Sequence, residues 1–159
     1  MKSLSRQEVN GDSCARGNVV SEESQSVSSL RPDEVERLDA QRCLIEAHLG
    51  DDASREKYRT PAGKLGLLRA LLQMNVFRPD QTHELQSMGV VLGDAFVQQL
   101  GLHWVMVEDE YGRDPALALE GTSILLYPLT MISKRVEAGE AMDVFDLFNW
   151  TADQVEQLE

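Results

Sequence analysis

Apolar residues recur at helical spacing along most of the chain, and one stretch breaks into alternation. Leu65, Leu68, Leu72 and Val76 share one helix face, widened by Leu67, Leu71 and Met74. Thr60 and Pro61 supply a capping hydroxyl and a first-turn proline, so a well-buried helix is expected over 61–77. Leu85, Met88, Leu92, Phe96 and Leu100 predict a second long helix, from 80 or 82 to 100, stopped by Gly101. Gly89 and Gly93 lie four apart on its surface and open a path for close approach, most naturally to a sheet. Upstream, Pro32 opens a helix in which Val35, Leu38, Ile45 and Leu49 form an incomplete stripe, interrupted by Arg42 and stopped at Gly50. Residues 51–59 are polar and read as a loop or a short exposed helix.

Between Gly101 and Pro128 the period changes. Bulky and β-branched residues predict strands over 103–107, 116–120 and 123–127, with turns at 108–114, where Gly112 is the left-handed residue, and at 121–122. Connections this short permit hairpins and exclude parallel crossovers. After Pro128 a helix over 129–138 ends at Gly139. Residues 140–159 read as two short helices anchored by Phe145, Leu147, Phe148, Trp150, Val155 and Leu158. The expected class is α+β: N-terminal helices packed on a three-stranded antiparallel meander, closed by short C-terminal helices. Residues 1–30 hold eight serines and few large apolar side chains and are read as a flexible Ser-rich tail; 31–159 is read as a single α+β domain.

Composition narrows the function. The 159 residues carry 27 acidic against 15 basic side chains, a formal charge of -12. That excess disfavours nucleic-acid phosphates and anionic lipid, and favours a basic protein partner. Neither a signal-peptide run nor a membrane-length apolar run is present; the longest, 123–132, contains Pro128. Cys14 and Cys43 are too few for a disulfide framework or a zinc site, so free thiols and a cytoplasmic setting are expected.

Candidate chemistry is sparse. Glu108, Asp109, Glu110 and Asp114 cluster at the first turn, without the alternating spacing and bidentate glutamate of a calcium loop, so no metal is expected. Tyr111 among them is an exposed aromatic suited to anchoring a partner. His103 and Trp104 open the first strand, and Lys134 and Arg135 form the one compact basic spot of the C-terminal half. Those four would define a pocket if the fold gathered them. His48 and His83 fall on separate helices, with nothing in the sequence to bring them together. Motifs of P-loops, dinucleotide folds, zinc proteases and serine hydrolases are missing; no cofactor and no catalytic residue is expected.

One resemblance is carried by residues. Gly89-Val-Val-Leu-Gly93-Asp94, Gly101-Leu-His-Trp104, Val107 with Asp109 and Gly112, Pro115-Ala116-Leu117, Gly121, Tyr127-Pro128, Ile132-Ser-Lys134-Arg135 and Gly139-Glu140 together resemble a bacterial family known as domain of unknown function 3806, over residues 80–147. The resemblance implies a bacterial protein with a small helix-plus-meander domain and carries over no catalytic residue. The leading expectation is a non-catalytic acidic binding module, such as an immunity-type or escort protein for a basic bacterial partner. Two alternatives stand beside it: an enzyme or small-ligand sensor with a pocket at His103, Trp104, Lys134 and Arg135, and a module that only dimerises. The chain is expected as a monomer or homodimer.

Overall fold

The computed structural model describes residues 25–158. In chain order the elements are β1 (Ser26–Ser28), α1 (Pro32–Glu46), α2 (Asp52–Tyr58), α3 (Pro61–Gln73), α4 (Thr82–Leu100), β2 (His103–Asp109), β3 (Gly112–Ala118), β4 (Leu125–Leu126), α5 (Leu129–Glu137) and α6 (Val144–Leu158). The strands form one sheet in the order β1-β2-β3-β4. The α+β class is therefore as expected, with one strand more than the meander. Most of the expected tail lies outside the described residues. Its last part contains β1, which pairs antiparallel with β2 through Val27 and Val107. Ser-Val-Ser has no apolar alternation, and Val27 is itself exposed, so a strand here leaves no mark on the hydrophobic pattern.

The chain divides into two compact units. The smaller, as far as it is described, comprises residues 25–28 and Met106–Asp114. The larger comprises Ser29–Val105 and Pro115–Glu159 and contains all six helices.

Helix α4 organises the larger unit and packs against α1, α3, α5 and α6. Its middle is buried all round, from Leu85 to Phe96, with Gln86 and Asp94 the partial exceptions. A helix apolar on every side must have neighbours on every side. Phe96 stacks on Phe148 of α6 at 4.7 Å, and Leu68, Leu71, Leu117 and Ile132 belong to the same core. The two glycines admit close neighbours as the spacing suggested, but only one of them meets the sheet. A Cβ on Gly93 would lie 2.6 Å from the Trp104 ring, and one on Gly89 would lie 2.5 Å from the Pro128 carbonyl oxygen. Gly93 thus receives a strand side chain, whereas Gly89 receives the backbone that opens α5.

Several boundaries differ from expectation for local reasons. Helix α3 ends at Gln73, short of Phe77, because Asn75 adopts φ +51°. The N–H of Val76 then bonds back to the Leu71 carbonyl and that of Asn75 to the Leu72 carbonyl, a Schellman stop built on asparagine. Residues 51–59 form α2, capped by the Asp51 carboxylate on the Ser54 N–H. The C-terminal stretch is one helix, α6, instead of two. Val144, Phe148, Thr151 and Val155 line its buried side, and no residue between them breaks the helix. Strand β4 is shorter than the expected 123–127 because the Thr122 hydroxyl accepts the Ile124 N–H, drawing that donor into the turn.

Candidate functional site

The first hairpin turns on Glu110 and Tyr111, tighter than the expected 108–114. Glu108 and Asp109 therefore end β2, and Asp114 lies within β3. Asp109 accepts the Tyr111 N–H at 2.8 Å, which fixes the turn and aims the ring outward. Tyr111 is 81% exposed. The neighbouring charge of Glu110 holds its hydroxyl above the usual tyrosine range. Arg113 is the cation of this segment; it donates to the Ser28 hydroxyl at 3.1 Å and lies 3.5 Å from Glu108. Glu110, Tyr111 and Asp114 thus face solvent around an exposed ring, with Glu108 partly engaged by Arg113. Such a surface offers an aromatic anchor with a negative rim.

A second polar centre lies in the larger unit. Asp94 of α4 accepts Arg42 Nε at 2.6 Å and Nη2 at 3.0 Å, and also the Trp104 indole N–H at 3.0 Å. Arg42 Nη1 reaches Asp39 at 2.6 Å. Burial disfavours the guanidinium charge, but hydrogen bonds and charge from Asp94, then Asp39, outweigh it and raise the Arg42 pKa. The residue that interrupts the apolar stripe of α1 is thus the link between α1, α4 and β2. Its signal in the sequence is a cation inside an apolar stripe, opposite the lone acid in the middle of the most apolar helix.

The structure places the four expected pocket residues in different settings. Trp104 is committed to Asp94 and lines a small cavity with Leu30, Val35, Leu38 and Arg42. Arg135 donates to the Met131 carbonyl within its own helix and lines a groove with Trp150 and Leu158. His103 and Lys134 are exposed. Among the described residues no group of His, Cys, Asp or Glu is arranged to hold a metal ion. Nor is any helix among them long and apolar enough to cross a membrane. Cys43 is a free, exposed thiol.

Comparison with known proteins gives a family and a fold. The family described as Domain of unknown function (DUF3806) matches residues 64–148. That span includes α4, Asp94, Trp104 and the first hairpin, and leaves out Arg42. A crystal structure from Bacteroides thetaiotaomicron superposes with a TM-score of 0.65 at 14% sequence identity, over 82% of this chain and 48% of that one. The chain thus spans about half the length of that neighbour, and the likeness concerns the fold. No curated protein matches the sequence.

Proposed function

Because the chain belongs to the family described as Domain of unknown function (DUF3806), which names no chemistry, we propose from its own geometry a non-catalytic module that binds a basic protein partner. The observation that carries this reading is Tyr111, 81% exposed at a two-residue turn amid Glu108, Asp109, Glu110 and Asp114. Interfaces concentrate binding energy in aromatic anchors, and acidic rims steer a basic partner to them. The overall charge of -12 extends that steering over the whole molecule. An immunity-type or escort protein that neutralises a basic bacterial partner is the concrete form of this reading. The exposed thiol of Cys43 suits a reducing cytoplasm.

Capture of partners on immobilised wild-type chain, at low and at high salt, tests the proposal. A basic protein held at low salt and released at high salt supports it. That protein must also fail to bind a chain carrying Tyr111→Ser and Glu110→Lys. Equal capture by both chains, or no basic protein at all, overturns it.

A further inference from the structure

A second site, independent of the hairpin, lies where α1, α2, α3 and α4 meet. Arg42, Glu46, Tyr58, Lys64, Asp94 and Gln98 line a cavity of about 350 Å³. Two of these charges are spent on each other: Arg42 and Asp94 form the forked pair described above. Lys64 and Glu46 act on each other through their charges but form no contact ion pair. Lys64 is buried, donates to the Tyr58 carbonyl at 3.0 Å and sits 4.9 Å from the Tyr58 ring centroid, with no carboxylate at ion-pair distance among the described residues. Glu46 likewise has no cation at ion-pair distance among them. Tyr58 is only 9% exposed, and its buried hydroxyl has no partner in full hydrogen-bond geometry, with the Glu46 carboxylate close enough to act on it. The Gln98 side-chain nitrogen donates to the Arg59 carbonyl, which leaves its amide oxygen to accept.

The buried Tyr58 hydroxyl and Lys64 ammonium, beside a half-buried Glu46 and an exposed Gln98, are groups that a bound partner would satisfy. A single water would satisfy the tyrosine hydroxyl but would place no carboxylate against the Lys64 ammonium. We propose that the cavity binds a small zwitterion, of the chemical class of free α-amino acids. Its carboxylate meets Lys64 and the Tyr58 hydroxyl, and its ammonium meets Glu46 and the Gln98 amide oxygen. Burial holds the Lys64 ammonium below the usual lysine range, and a carboxylate arriving beside it relieves that penalty.

The test is calorimetric titration of the full chain with glycine and the common L-amino acids, beside acetate and methylammonium as half-ligands. The expected result is saturable binding of at least one amino acid, with each half-ligand weaker by about tenfold or more. Glu46→Gln and Tyr58→Phe, which keep the shape of the site, are each expected to weaken that binding by about tenfold. The proposal is overturned if no amino acid binds, if a half-ligand binds as well as the zwitterion, or if both variants bind like wild type. Hairpin variants at Tyr111 leave this binding unchanged, so the two sites are tested separately.

Discussion

Arg42 and Asp94 form a forked ion pair that ties α1 to α4, with both side chains largely buried. Trp104 completes the set of donors to Asp94, so β2 is held by the same carboxylate. Removing one member leaves the other charged and largely buried. Asp94→Ala is expected to destabilise the chain by about 3 kcal/mol, since breaking a buried pair costs far more than replacing it whole. Arg42→Met with Asp94→Leu should recover most of that loss. Urea denaturation of the three chains measures both effects, and equal losses in single and double variants would remove the pair from its organising role.

The glycines of α4 make a graded prediction. Gly93→Ala drives a methyl against the Trp104 and Pro128 rings, and Gly89→Ala drives one against backbone at Pro128 and Leu129. Backbone yields less than a side chain, so Gly89→Ala should be the more destabilising of the two, by about 2–3 kcal/mol. Gly66 is exposed in the middle of α3 with nothing within 4 Å, and Gly66→Ala should stabilise by about 0.5–1 kcal/mol. Thermal unfolding of the three variants checks the order.

These contacts also show what the sequence made legible. The Gly101 stop and the Thr60-Pro61 start are local signals, and each appears in the structure as read; the Gly89 and Gly93 pair does admit close neighbours, but Gly89 meets the backbone that opens α5 and not the sheet. Strand β1 was invisible because an exposed Ser-Val-Ser segment has no face to bury. The Asn75 stop carries a weaker signal, because asparagine takes the left-handed conformation less readily than glycine. Glu46, Tyr58 and Lys64 come from three helices, and only tertiary packing brings them to one cavity.

Tyr58 gives a prediction at high pH. Burial, then the charge of Glu46, pushes its phenol well above the ordinary value of 10.0. The folded state therefore keeps a proton that the unfolded state loses above that value. The contribution is fully present below pH 10.0 and declines as pH rises beyond it. Tyr58→Phe should remove that alkaline decline and, by deleting a buried hydroxyl with no partner in full hydrogen-bond geometry, leave stability at neutral pH unchanged or higher by about 1 kcal/mol. Chemical denaturation across neutral and alkaline pH reads both.

Asp143 gives the acid counterpart. It accepts Arg69 at 2.9 and 3.0 Å and the N–H groups of Phe145 and Asp146, at the start of α6. The Arg69 hydrogen bond, followed by those backbone groups, holds its carboxyl below the ordinary 3.8. Its stabilisation is present above 3.8 and lost as pH falls through the lower folded value. Arg69→Met should therefore cost stability at neutral pH, with the gap to wild type narrowing below pH 3.8. A gap that stays constant on acidification would assign the loss to packing of the guanidinium on Phe145, 4.2 Å from the ring centroid.

The hairpin around Tyr111 is proposed as a docking surface for a basic protein. The most direct measurement is the affinity of the captured partner for wild type, for Tyr111→Ala, and for a chain with Glu108, Asp109, Glu110 and Asp114 changed to their amides, each over a range of salt. Tyr111→Ala is expected to weaken binding by about tenfold or more at every salt concentration. The amide variant is expected to flatten the dependence on salt. Wild-type affinity in Tyr111→Ala, together with an unchanged salt dependence in the amide variant, would contradict the proposal.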